Sequence, residues 1–142
     1  MKLVVDTNVL VAGTLWTGNP SRLLDALLDG AATLCLSTAL LAEFEEVIQR
    51  EKFRSRLEAR GGRAKEIIVR FQAVALVVEP PTIPVPSELC DPEDIHVLAC
   101  AVASGADAIV TGDADLLSIK AFGGSLILSV REALEKLGIP AA

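Results

Sequence analysis

One histidine, His96, and three cysteines, Cys35, Cys90 and Cys100, are the whole supply of soft metal ligands in this 142-residue chain. That scarcity excludes a zinc centre built from His and Cys. The cysteines are odd in number and show no CxxC spacing, so reduced thiols in a cytoplasm are expected rather than a disulfide framework. No Ser-His-Asp arrangement can be drawn without His96, and Gly-x-Ser-x-Gly is absent. His96 lies two positions from Asp94 on a common helix and points nearly the opposite way, which reads as surface or packing. Neither GxxxxGK[ST] nor GxGxxG occurs, so no phosphate-cradling loop is announced. Although 51% of the residues are apolar, no run approaches the roughly 18 of a membrane span. Asp6 cuts the opening run far short of a signal-peptide core. One soluble domain over residues 1–142, with no membrane partner, is the expectation.

What the chain does have is two short apolar runs that each end in an aspartate. They are Leu3-Val4-Val5-Asp6 and Ala108-Ile109-Val110-Thr111-Gly112-Asp113. Runs this short, rich in Val and Ile, read as strands buried on both faces of a parallel sheet. Ligands of open α/β sheets sit outside the carboxyl ends of such strands. Both carboxylates are thereby aimed at one pocket.

The net charge of −6 is unevenly spread. Between Arg50 and Arg70 lie Arg50, Lys52, Arg54, Arg56, Arg60, Arg63, Lys65 and Arg70 against only Glu51, Glu58 and Glu66, a net +5 that leaves −11 for the rest. A basic arm beside an acidic pocket suits a nuclease that attracts phosphates with one part and holds cations with the other. A solvated helical hairpin, or a surface for a protein partner, fits the arm as well. Contacts to a nucleic-acid backbone are expected from Arg50, Lys52, Arg54, Arg56, Arg63 and Lys65, carrying little sequence information.

Strands and helices alternate, the order of an α/β domain. Strands are expected near 2–5, 33–36, 75–78, 108–110 and 125–128. A loop containing Gly13, Gly18, Asn19 and Pro20 is expected between the first strand and a helix at 21–29. Ser37 or Thr38 caps a helix running to about Gln49, and Gly61-Gly62 divides two further helices. Five prolines mark a loop from Glu79 to Pro92, where the sheet is expected to reverse its direction of growth. A helix follows at 93–104, then a short one after Asp113 and a last one bearing Val130, Ala133, Leu134 and Leu137.

Each acid has an ordinary reading. Asp6 and Asp113 suit turn or cap positions, and Asp91 and Asp94 surround a helix start, where carboxylates are favoured. On the helix after the second strand, Leu40, Leu41, Phe44, Val47 and Ile48 form the buried stripe. Glu46 lies opposite it, while Glu43 and Glu45 flank it equally, so spacing does not choose between them. Together, however, Asp6, Asp94 and Asp113 share one end of the sheet, within reach of Glu43. Two carboxylates about 4 Å apart repel by roughly 4 kcal/mol at an effective dielectric near 20. Such a cluster calls for protonation or a cation. Mg²⁺ or Mn²⁺ is the fitting ion, with oxygen ligands and the capacity to lower a water's pKa and polarise a phosphoryl oxygen.

Four segments carry a family resemblance. They are Val5-Asp6-Thr7-Asn8-Val9-Leu10; Glu43-Phe44-Glu45-Glu46-Val47-Ile48 followed by Lys52-Phe53; Asp91-Pro92-Glu93-Asp94-Ile95-His96-Val97-Leu98; and Ile109-Val110-Thr111-Gly112-Asp113-Ala114-Asp115-Leu116-Leu117. In this order the chain resembles PIN-domain ribonucleases, of the kind found as the toxin of VapC-like toxin–antitoxin pairs. The resemblance implies a three-layer α/β/α sandwich around a parallel sheet of about five strands. It implies metal-holding, catalytic acids at Asp6, Glu43, Asp94 and Asp113, and so selects Glu43 over Glu45. Asp91 and Asp115 become auxiliary acids, and Asn8 and Thr111 become hydrogen-bonding groups that orient carboxylates. It further implies metal-dependent RNA hydrolysis to 5′-phosphate and 3′-hydroxyl ends, a second copy of the chain as partner, and an antitoxin that blocks the site. A phosphotransfer domain of the haloacid-dehalogenase type would need Asp-x-Asp where Asn8 stands, and a receiver domain a lysine where Ser129 stands. A non-catalytic PIN-like module that binds RNA or protein, and a nuclease for structured DNA, are the remaining alternatives.

Overall fold

The computed structural model describes residues 1–80 and 92–142. Asp91, Cys90 and most of the proline-rich loop lie outside the described residues. Six strands form one sheet: β1 (Lys2–Val5), β2 (Thr33–Ser37), β3 (Leu76–Val78), β4 (Ala108–Val110), β5 (Ala121–Phe122) and β6 (Ser125–Leu128). Their order is β3-β2-β1-β4-β6-β5. Every neighbouring pair is parallel except β5 with β6. Five strands were expected; the sixth, β5, is two residues long, too short to leave an apolar pattern.

The sheet grows outward from β1 to β3, then resumes on the other side of β1 with β4. The change of direction falls in the connection that contains the proline-rich loop, and it makes the β1–β4 boundary the switch point where ligands of α/β sheets bind. The central strands explain their composition. Leu3, Val4, Val5, Ala108, Ile109 and Val110 are all essentially buried, as both-face burial demands.

The helices are α1 (Thr7–Leu15), α2 (Asn19–Leu28), α3 (Thr38–Ile48), α4 (Arg54–Ala59), α5 (Arg63–Val74), α6 (Pro92–Ser104), α7 (Ala114–Ile119) and α8 (Val130–Lys136), with a 3₁₀ turn at Glu51–Phe53. They flank the sheet: α1 and α2 pack on each other and reach α5 and α8, while α6 lies against β1, β2, β3 and β4. The buried apolar side chains make one contiguous cluster.

Helix α1 corrects the expectation of a loop after β1. Seven of its nine residues are buried, so apolar side chains occur all round it and no 3.6-residue stripe appears in the sequence. Gly13, which read as a loop residue, is instead a packing device. A Cβ there would fall 2.5 Å from Leu24 Cδ1 and 2.8 Å from the Pro20 carbonyl oxygen, so its absence lets α1 and α2 touch. The residues 21–29 expected as a helix are found as α2, started earlier by Asn19 and Pro20. Proline suits this first turn because its missing N–H has no intrahelical acceptor there.

Candidate active site

The register of the two central strands builds the site. Leu3 pairs with Ala108, Val4 with Ile109 and Val5 with Val110, and the Asp6 N–H continues the ladder by donating to the Val110 carbonyl at 2.9 Å. One step beyond the strands, Asp6 therefore stands beside Thr111. The Thr111 hydroxyl donates to Asp6 Oδ2 at 2.8 Å and accepts from the Asp113 N–H at 3.0 Å. A single fully buried threonine thus links the two strand-end aspartates. Asp6 itself is only 8% exposed.

Both aspartates also serve as helix caps. Asp6 Oδ1 accepts from the Asn8 N–H at 3.4 Å at the start of α1, and Asp113 Oδ1 accepts from the Asp115 N–H at 2.8 Å at the start of α7. The capping reading of both aspartates is therefore met. Each carboxylate sits at the N-terminal end of a helix, where main-chain N–H groups have no intrahelical acceptor. The group of Asn8 that holds Asp6 is its main-chain N–H; its side chain stands exposed on α1.

Asp94, in the first turn of α6, is 5% exposed. Glu43 and Glu45 on α3 are both half-buried, while Glu46 is exposed and paired with Arg50 at 3.0 Å. Exposure leaves Glu43 and Glu45 equivalent, as the helical wheel did. Among the described residues no three His, Cys, Asp or Glu side chains are grouped closely enough to hold a metal ion. The structure joins Asp6 to Asp113 through Thr111 and brings the Asp115 main-chain N–H onto Asp113, while Asp94 stands buried on α6 and Glu43 half-buried on α3. The donor chemistry still fits a hard divalent cation. Mg²⁺ is commonly held by one or two carboxylates and keeps several waters, and the two oriented carboxylates after the neighbouring strands β1 and β4 supply that number.

Beside the acids lies an open cleft of about 410 Å³ lined by Asn8, Val9, Ala12, Pro20, Gly112, Asp113 and Val130. Its apolar walls come from α1, α2 and α8, and of these residues the sequence pointed only to Asn8 and Asp113. With α1 read as a loop, no periodicity could place Val9 and Ala12 on a wall. A second cleft, of about 460 Å³, opens on the basic arm between Gln49, Glu51, Arg54 and Leu57.

Six of the arm's eight cations divide into two groups. Arg63 Nη2 donates to the Gly13 carbonyl at 3.1 Å and to Ser21 Oγ at 3.0 Å, and its Nε donates to the Thr14 carbonyl at 3.2 Å. Arg56 Nη2 donates to the Leu15 carbonyl at 2.9 Å. Between them they satisfy the carbonyls that α1 leaves open at its end. Arg70 does the same more loosely for α2, at 3.5 Å from the Leu28 carbonyl and 3.7 Å from Asp29. Lys52, Arg54 and Lys65 remain exposed. Of the residues expected to meet nucleic acid, Arg56 and Arg63 thus hold helix α1.

The two buried thiols stand apart from this chemistry. Burial raises Cys35 above the usual thiol range and pushes Cys100 up to about 12, so neither is a nucleophile at neutral pH. No described helix is long and apolar enough to cross a membrane.

The fold is shared with solved structures of low sequence identity. PAE2754 from Pyrobaculum aerophilum superimposes with a TM-score of 0.58 at 18% identity, covering 97% of this chain and 90% of that one. VapBC2 from Rickettsia felis, solved bound to a DNA fragment from their promoter, gives 0.56 at 14% identity, covering 91% of this chain and 98% of that one. No functionally curated protein matches the sequence. The family model of the PIN domain matches residues 2–115, a span that takes in the four acids and Thr111. The chain belongs to the PIN-domain family, a family of nucleases.

Proposed function

We propose that the chain is a single PIN nuclease domain over residues 1–142 that hydrolyses RNA phosphodiesters internally, in the cytoplasm, as the toxin of a toxin–antitoxin pair. The observation that carries this reading is the Thr111 hydroxyl, which binds Asp6 and the Asp113 main chain together at the sheet's switch point. Asp6, Glu43, Asp94 and Asp113 would hold Mg²⁺ or Mn²⁺, with Asp91 and Asp115 as auxiliary acids. When bound, the cation supplies positive charge for the phosphoryl oxygens. Asp6 is held in place from both of its oxygens, so its orientation costs nothing at the moment of reaction. The carboxylates take up the proton of the attacking water. The bond from phosphorus to the 3′-oxygen then breaks, the departing oxygen taking a proton from solvent, which leaves a 5′-phosphate and a 3′-hydroxyl. Lys52, Arg54 and Lys65 supply the attraction for the RNA backbone that the acidic remainder of the chain opposes.

RNA rather than structured DNA is the substrate that the resemblance of the four acidic segments to PIN-domain ribonucleases implies. VapBC2 is a complex on promoter DNA, which supports a partner protein for this chain as well. That antitoxin would block the acids, and a second copy of the chain would complete the assembly. The test is cleavage of a labelled RNA and DNA pool with Mg²⁺, Mn²⁺ or EDTA, beside an Asp6→Asn variant. RNA cleavage that needs the cation and disappears in the variant is the expected result. Cleavage by Asp6→Asn, or none by the folded parent protein on either nucleic acid, would overturn the reading.

A further inference from the structure

The exposed positions of α1 form a track. Of its nine residues only Asn8 and Ala12 escape burial, and Trp16, the cap residue, follows at the same spacing of four. Residues four apart lie on one helix face, one above the other. The track begins at the acids, because Asn8 and Ala12 line the cleft that contains Asp113. It ends at Trp16, about 12 Å from Asn8 for eight steps of roughly 1.5 Å each.

Trp16 is 39% exposed, although it is the largest apolar side chain in the protein. It is also firmly held. Phe53 meets it edge-on, with ring centres 5.9 Å apart at 81°. The Arg56 guanidinium lies 5.3 Å from its ring centre and is itself anchored on the Leu15 carbonyl. The Lys52 ammonium lies 5.0 Å from the Phe53 ring centre. An aromatic ring fixed among cations is suited to a flat, π-faced group carried on an anionic backbone, which describes a nucleobase. An apolar protein helix would instead have to strip water from Lys52 and Arg56 without offering them a counter-charge.

We propose that Trp16 is a stacking platform for one base of a single-stranded RNA that runs along α1 from the acids to the basic arm. The proposal rests on the nuclease reading above and adds a subsite some distance from the chemistry. Stacking on a single ring tolerates any base, so the platform positions the strand without selecting its sequence. Arg56 acts here in two ways, holding the end of α1 and backing the ring.

The chain contains one tryptophan and no tyrosine, so its emission reports Trp16 alone. The experiment titrates the protein in EDTA, where no cleavage occurs, with a fluorescently labelled single-stranded RNA of about eight nucleotides. Tryptophan emission and the anisotropy of the labelled RNA are both recorded. Expected results are quenching of Trp16 in step with binding, a roughly tenfold weaker Kd for Trp16→Ala, and a Kd within about threefold of the parent for Trp16→Phe, which keeps a stacking ring. Thermal melts of the variants exclude misfolding as the cause. RNA that binds while Trp16 emission stays unmoved, or an unchanged Kd in Trp16→Ala, overturns the platform, and cleavage of the same RNA in a separate Mg²⁺ reaction leaves the nuclease reading standing. RNA that neither binds in EDTA nor is cleaved in Mg²⁺ overturns both.

Discussion

At the carboxyl end of the sheet, charge is positioned by the main chain. Asp6 and Asp113 each follow a buried strand, each caps a helix, and one threonine hydroxyl bridges them. On the basic arm, charge sits at the tips of long side chains, and the same residue type serves opposite ends. Arg56, Arg63 and Arg70 are turned inward onto helix carbonyls, whereas Lys52, Arg54 and Lys65 face water. The lesson is that a strand register specifies where a carboxylate stands, while counting cations along a helix does not specify what they touch. Removing a group at the acidic end should cost chemistry first. Removing one from the arm should cost either stability or affinity, according to which way it faces.

The sharpest break of this comparison is Thr111→Val, which keeps the shape and deletes the hydroxyl. Asp6 Oδ2 and the Asp113 N–H then both lose their bond to that hydroxyl. Cleavage should fall about 10- to 100-fold, with a loss of about 1–3 kcal/mol in stability, read from initial rates and from denaturant unfolding of the same preparation. Unchanged rates would mean that the bridge between the aspartates is structural only.

Next in size is the contrast between two residues that are neighbours on α5. Arg63→Met withdraws donors from two carbonyls at the end of α1 and from Ser21, and should destabilise the fold by about 2–3 kcal/mol. Lys65→Ala should change stability by less than about 0.5 kcal/mol. It should instead weaken RNA binding and reduce the slope of log affinity against log salt by about 0.7, the single-strand value for one lost contact. Thermal melts and a salt titration separate the two. Equal melting shifts would remove the division of the arm into clamps and contacts.

The smallest effect lies outside both regions, at the start of α8. There the Glu132 carboxylate accepts from the Ser129 N–H at 3.0 Å, and Ser129 Oγ accepts from the Glu132 N–H at 3.2 Å. These bonds hold Glu132 below its ordinary value of 4.5. Because the folded value is the lower one, the stabilisation is present above 4.5 and disappears as the pH falls through the folded value. Glu132→Gln should therefore flatten the acid limb of stability against pH slightly, as measured by denaturant midpoints between pH 3 and 6. An identical slope in both proteins would show that this reciprocal pair of bonds contributes nothing through ionisation.

Much of this protein was legible without its tertiary structure. Short Val- and Ile-rich runs ending in Asp6 and Asp113 placed two acids at one end of a parallel sheet. The breaks at Gly61-Gly62 and along the proline-rich loop marked where helices divide and the sheet changes direction. These features are local, and local backbone preference and burial pattern write them directly. Other features depend on partners far away in the chain. Helix α1 left no stripe because it is enclosed on nearly every side, and Arg63 and Arg56 could not be told from solvent-facing cations because the carbonyls they hold lie some 40 to 50 residues earlier. The resemblance had pointed to Thr111 as a group that orients a carboxylate, but which two aspartates it links, and Trp16 as the end of a track along α1, came only with packing, because contact between distant residues is decided by how elements dock and not by the elements themselves.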